Sequence, residues 1–250
     1  MSLESQIAEL VSATTALVTT FNGKKKEIDQ AVSAAVAAVP VLRRVWYVDQ
    51  ISGLDSQLGT PSSPFKTIDK ALSATPVGGI ADVRLMGDYR MEQDISVEAR
   101  LLRITKSSES AVRLFTKYFK AVFSTGEVTG LSGFNLSLNA SCELIDIGIV
   151  FPSAQGVMPD PVTNAYVLSL VRTPYTGGQA MISLRCDRVS VSAPSDFVGT
   201  LIGGLNNSAV VLHIIRSTFP VEFSGHYIDQ ISTGVDPLTR PNLITNINKL

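Results

Sequence analysis

Several residue types are scarce in this chain. Its 250 residues include two cysteines, one tryptophan and two histidines; aromatics make up 7% and charged residues 17%. Cys142 and Cys186 are too few for a disulfide framework, and both lie in apolar runs, which reads as buried free thiols. Only His213 and His226 could join them, without short ligand spacing, so no zinc site or other metal site is expected. A net charge of −1 and a pI near 6.1 give no electrostatic case for nucleic-acid binding or attachment to a membrane surface. No run of 18 apolar residues occurs, so no membrane span is expected. The polar, acidic start lacks the basic and apolar regions of a secretory signal. The expectation is a protein made and folded in a reducing cytosol.

Catalytic signatures are missing as well. There is no G-x-S-x-G, H-E-x-x-H or G-x-x-x-x-G-K-[ST], and the pairs Gly78-Gly79, Gly177-Gly178 and Gly203-Gly204 lack phosphate-loop spacing and read as turns. No cofactor is expected.

What is present points to a β-rich body behind a helical segment. Hydrophobic residues reach 45%, with many small and β-branched types, which suits strands and fits disorder poorly. In residues 1–40, positions Leu3, Ile7, Leu10, Thr14, Leu17, Phe21, Lys24, Ile28, Ala31, Ala35 and Ala38 recur at alternating spacings of four and three. That is the a/d pattern of a coiled coil, broken at Thr14 and Lys24. Asn22-Gly23 is a weak point, because Gly costs about 1 kcal/mol in a helix interior. The reading is helices over 3–20 and 25–38, either one bent helix or a hairpin. The stretch A-V-S-A-A-V-A-A-V is apolar on several sides and must be buried by something. Leu3, Ile7, Leu10, Leu17, Phe21, Ile28 and Ala35 are the expected self-association and attachment positions. Lys24-Lys25-Lys26 is a solvated face. Pro40 ends the helical region, and the body is expected over 41–250.

The most specific stretch runs from Val45 to Ala71: a short strand at Val45–Asp49, a Gly/Ser/Asp/Pro loop, then Pro-Phe-Lys-Thr-Ile opening a short amphipathic helix. Gly53 and Gly59 allow backbone angles that a Cβ would penalise. Asp55 and Ser56 can bond their own backbone in a turn, and Pro64 suits the approach to a first helical turn. Phe65, Ile68, Ala71 and Leu72 form one apolar face. Trp46 reads as a capping core residue. With Tyr47, Val48, Asp49, Thr60, Thr67 and Lys70, these positions resemble the entry segment of right-handed parallel β-helix (pectate-lyase-like) proteins. Such entries occur in bacteriophage tail fibres and tailspikes and in secreted polysaccharide-active enzymes. The N-terminal S-L-E-S-Q-I-A-E-L-V also resembles helical segments of phage tail-fibre proteins. The resemblance implies that the apolar face caps the open end of a solenoid.

From residue 80 onward the pattern is short β runs: 82–86, 95–97, 101–105, 112–115, 121–124, 136–138, 144–151, 165–171, 181–191, 201–202, 209–217 and 227–231. Regular short strands suggest a β-helix, sandwich or barrel. Segments 144–151, 184–191 and 212–219 look alike: alternating apolar residues, a polar bend, then a further apolar residue. A β-helix coil rounds a corner in this way, although their spacings of 40 and then 28 residues are not a strict repeat. The Pro- and Asn-rich end, 234–250, is too apolar for a free tail and is expected to pack on the body or a neighbour.

Glycoside hydrolysis needs two carboxyl groups about 5–10 Å apart. Asp146 and Asp187 hold comparable places in two look-alike segments; Glu143 and Glu222 are further candidates. Solvated or turn roles are the plainer reading for all four, so no residue is assigned as catalytic. Arg172, Arg185, Arg188 and Arg216 could line a face as a lyase would need, or sit at solvated edges and in inter-chain pairs. Tyr175, in T-P-Y-T-G-G, is the best loop-borne glycan contact.

The expected fold is therefore mainly β with an N-terminal coiled-coil helix and a right-handed parallel β-helix-like body, as a homotrimer; a β-sandwich is the structural alternative. The resemblance implies a virion structural protein, a phage tail fibre or baseplate-attached component. It would be assembled in the host cytoplasm, with other tail proteins and host surface polysaccharide as partners. A tailspike-type depolymerase and a non-catalytic glycan-binding module are the alternatives.

Overall fold

The computed structural model describes residues 2–38, 42–123, 126–163, 166–174, 180–204 and 209–250; the side chains of 33–38 and Phe123 are not described. The chain divides into a unit of residues 1–41 and a unit of residues 42–250.

The first unit is one helix, α1 (Leu3–Ala38), of 36 residues. It does not break at Asn22-Gly23, so of the two readings, one helix or a hairpin of two, the structure has the single helix. A lone Gly lowers helix propensity by only about 1 kcal/mol, less than breaking and recapping a long helix. The threonines are accommodated by bonds to the preceding turn. Thr14 Oγ1 donates to the Leu10 carbonyl at 2.8 Å, and Thr15, Thr19 and Thr20 do the same one turn back from themselves.

In the second unit, β1 (Arg43–Val48) leads through the entry loop to a short helix α2 (Ile68–Ser73). Three parallel sheets follow. The largest contains, in spatial order, β1, β2 (Ile80–Leu85), β5 (Leu101–Lys106), β10 (Ser141–Ile145), β13 (Met181–Asp187), β16 (Ala209–Ile215) and β17 (Leu243–Thr245). A second holds β3 (Tyr89–Arg90), β6 (Arg113–Phe115), β11 (Gly148–Val150) and β14 (Ser190–Ser192); a third holds β4 (Ile95–Val97), β9 (Phe134–Leu136), β12 (Ser169–Arg172) and β15 (Thr200–Ile202). The chain visits the large, second and third sheets in rotation four times, from β2–β3–β4 to β13–β14–β15. An antiparallel hairpin, β7 (Tyr118–Phe123) with β8 (Gly126–Leu131), interrupts the second turn.

The expected fold class is corrected by these sheets. A uniform right-handed parallel β-helix does not describe seven strands in one sheet against four in each of the others, with an antiparallel pair between. The body is a mainly-β, parallel-sheet fold, and the described residues of the chain hold two α-helices, α1 in the first unit and α2 in the body. The β-sandwich alternative falls because every strand pair within the three main sheets is parallel. The physical reason for the inequality is visible in the spacing: long connections such as 151–163 and 216–242 carry little strand, while the terminal strands β1 and β17 add only to the large sheet.

The core is built from in-register rows. Val83, Ile104, Leu144 and Cys186 stack strand on strand, beside Ala81, Leu102, Cys142, Leu184 and Leu212; all are buried. The period of two along each strand turns the alternate residues outward. Both cysteines are thus ordinary steps in apolar rows, free and buried, and burial pushes the Cys186 thiol up to about 12. The look-alike segments turn at Asp146, Arg188 and Arg216, all with positive φ (60°, 55° and 49°), where the chain leaves the large sheet.

Candidate functional surfaces

The entry segment closes the edge of the large sheet. The Tyr47 amide donates to the Gly59 carbonyl, the Phe65 amide to Tyr47 and the Asp49 amide to Phe65, each at 2.9 Å, so the loop runs along the outer edge of β1. Gly59 lies at φ 69°, and a Cβ there would sit 2.5 Å from the Phe65 ring and 2.7 Å from Trp46. Gly53 packs as closely on backbone: its Cβ would meet the Phe65 carbonyl oxygen at 2.3 Å. Asp55 accepts from the amides of Lys66 and Thr67 and from Thr67 Oγ1, each at 2.9 Å, while Thr67 caps α2 through the Lys70 amide. Asp49 accepts from Ser52 Oγ and from the amides of Ile51 and Ser52, and these bonds hold its carboxyl below the usual range. The Pro64 carbonyl accepts from Leu54, Trp46 Nε1 donates to Thr75 Oγ1, and the Trp46 and Phe65 rings lie 5.2 Å apart. Ile68 is fully buried. All nine entry positions read from the sequence therefore meet in one structural cap.

On α1 the self-association positions present a different surface. Leu3, Ile7, Leu10, Leu17, Phe21 and Ile28 are exposed, as are Val11, Val18 and Val32; these nine range from 52% to 72%. The side chain of Ala35 lies outside the described residues, and so does the proposed glycan contact Tyr175.

Three of the four acidic candidates are paired with arginines. Along the large sheet the outward positions Asp82, Arg103, Glu143, Arg185 and His213 stand in register. Glu143 meets Arg103 at 2.7 Å and Arg185 at 3.8 Å; Asp82 meets Arg43 at 2.5 Å. Asp187, 4% exposed, is surrounded by Arg185 (2.9 Å), Arg188 (3.0 Å) and Arg216 (2.9 Å), and Arg188 also reaches Asp146 at 3.5 Å. Sequence position brought Asp146 and Asp187 to neighbouring corners, and the Asp146 amide donates to the Asp187 carbonyl. Their carboxyl oxygens face guanidinium groups. Glu222 is exposed in a 3-10 turn.

Arg172 departs from its expected role at an exposed edge. It is buried in β12, paired with Asp94 and bonded to the Leu131 and Ser169 carbonyls; burial nonetheless raises the Asp94 carboxyl, outweighing the arginine. Sequence reasoning missed this pair because 78 residues separate its members.

A shallow groove of about 550 Å³ crosses the large sheet over five strands, from Ile80 on β2 to Val211 and His213 on β16. Among the described residues no group of three or more His, Cys, Asp or Glu side chains could hold a metal ion. No described helix is long and apolar enough to cross a membrane.

No protein-family model matches the sequence, and no curated protein matches it. Two solved structures are similar to the chain, both of a GH136 lacto-N-biosidase from Eubacterium ramulus. The selenomethionine derivative is 13% identical, with a TM-score of 0.35, covering 88% of this chain and 37% of that one. The native form is 13% identical, with a TM-score of 0.31, covering 69% and 30%. The chain thus spans about a third of these neighbours' length, and likeness at this level carries no conclusion about activity.

Proposed function

We propose that this protein is a structural component of a bacteriophage tail fibre or baseplate-attached fibre. In this reading three copies join through α1, and the body contributes to contact with other tail proteins or the host surface. The particle tail is its destination, after assembly in the host cytoplasm. One observation carries the reading: nine large apolar side chains are exposed on a helix with no break. Burying such a side chain removes roughly 60–120 Å² of apolar surface. Nine of them supply roughly 500–1,100 Å² per copy, which brackets the ~800 Å² per partner of a stable interface.

Second copies of the same helix are the fitting cover, because the stripe follows the heptad. Val11, Val18 and Val32 widen it to one side of the a/d seam, and a wider seam touches two neighbours. The resemblance of the entry segment to phage fibre proteins supports the same class. The depolymerase alternative is disfavoured by the arginine-held carboxylates.

Sedimentation of the full chain tests the proposal. The expected mass is three-fold, falling to one-fold when Leu10 and Leu17 are both changed to Asp. A full chain that stays monomeric at micromolar concentration overturns it.

A further inference from the structure

We propose that the outer edge of β1 carries a second self-association surface, through which the bodies of neighbouring copies meet. The inference rests on the reading that copies join through α1, and adds a contact that α1 does not supply.

Six large apolar side chains lie along this edge. Leu42, Val45, Ile51, Leu54, Leu58 and Val77 are 39% to 92% exposed. β1 is an end strand of the large sheet, and hydrogen bonds gather the six beside it. At the start of the strand the Leu42 carbonyl accepts from the Ile80 amide. The same oxygen lies 2.6 Å from where a Cβ on Gly79 would sit, so the turn that carries Val77 packs against Leu42. Farther along, the bond from the Tyr47 amide to the Gly59 carbonyl holds Leu58 next to the strand. Val45, two residues before Tyr47, shares its face. Past the end of the strand, Ile51 donates to Asp49 Oδ1 and Leu54 to the Pro64 carbonyl. The carboxylates of this stretch are engaged within the loop: Asp49 accepts from Ser52, and Asp55 from Thr67 and the Lys66 amide. Covering the stripe therefore strands neither acid.

The size of the stripe selects its occupant. Six such side chains offer roughly 350–700 Å² of apolar surface per copy. A partner captured from solution needs ~800 Å². A second copy needs less. Only residues 39–41 separate the end of α1 from Leu42, and a tether that short gives an effective concentration of the order of millimolar. Copies held through α1 thus meet at a contact too small to assemble by itself. An uncovered apolar stripe at a sheet edge would otherwise invite indiscriminate pairing.

Cross-linking of the full chain tests this. Leu58→Cys supplies a thiol on the stripe, while Cys142 and Cys186 are buried. With a short bismaleimide, copies of this variant are expected to link through residue 58 while sedimentation gives a three-fold mass. Leu238→Cys, 93% exposed beside the opposite end strand β17, is expected to stay unlinked. Adding Ile51→Asp and Val77→Asp to Leu58→Cys should lower the linked yield at least fivefold and leave the mass three-fold. The comparison of positions 58 and 238 decides the matter even if the two aspartates disturb folding. A three-fold mass without linkage at 58, equal linkage at 58 and 238, or a yield indifferent to folded aspartate variants would each overturn the contact and leave the fibre reading intact. A one-fold mass would overturn both, so the mass tells the two failures apart.

Discussion

At the scale of single residues, the entry cap depends on positions where only one side chain fits. Gly59 combines a positive φ with close approach of two rings, whereas Gly78 has a positive φ of 72° and open space around it. Gly59→Ala is therefore expected to cost well over ~1 kcal/mol, and Gly78→Ala only the backbone strain of about that size. Urea midpoints of the two variants would compare them, and equal losses would contradict the packing argument. Charged residues set the acid limit. The Arg113 guanidinium, bonded to Asp88 at 2.7 Å, holds its carboxyl below the ordinary range. An aspartate in an unfolded chain titrates near ~3.9. A lowered folded value means the stabilisation is present above that pH and is lost as pH falls through the folded value. Stability should thus drop below about pH 4, and Asp88→Asn should make the drop shallower. An unchanged acid limb in the variant would count against this pair.

At the scale of elements, α1 and the hairpin are the instructive cases. Nothing lies within 4 Å of where a Cβ would sit on Gly23, and the residue is helical. Gly23→Ala should stabilise the helix by about 1 kcal/mol per chain, seen as a higher melting temperature of the helical circular dichroism signal. A lower one would mean that Gly23 serves a close contact with another copy. The single helix is only partly legible: the heptad is plain in the sequence, but Thr14 and Lys24 interrupt it and Asn22-Gly23 is a weak point in the helix. Threonine hydroxyls bonded to the preceding turn remove the conflict. The hairpin β7–β8 was half legible. Its first strand is expected near 121–124, whereas its partner carries Gly126, Glu127 and Gly130, residue types depleted in strands. Tyr118, 80 residues away in sequence, ties this hairpin to Val198 through two bonds of 2.8 and 2.9 Å.

At the scale of the whole body, stability should grade along the stacking direction. Central strands β5, β10 and β13 have paired neighbours on both sides, while β17 has a neighbour on one side and exposes Ile244. In stacked folds each layer draws most of its support from adjacent layers. Amide hydrogen exchange should therefore be slowest at Leu102, Leu144 and Leu184 and fastest at Leu243–Thr245. Uniform protection across the large sheet would indicate one all-or-none unit. The edge at β1 should stay protected relative to β17, since the Gly59–Phe65 loop bonds to it.

The sequence by itself determined what is local: a heptad helix, an entry segment written in Gly, Asp and Pro, and a polar bend within each of segments 144–151, 184–191 and 212–219, because backbone freedom and short-range caps act within a few residues. It also placed the cysteines in apolar runs. Only the tertiary structure decided how many strands each sheet holds, that Arg172 is buried with Asp94, and that Arg216 joins the sequence neighbours Arg185 and Arg188 on Asp187. Those outcomes rest on register between segments some 30 to 80 residues apart, such as the 40 between Arg103 and Glu143, and no local pattern encodes which outward charge will stand beside which.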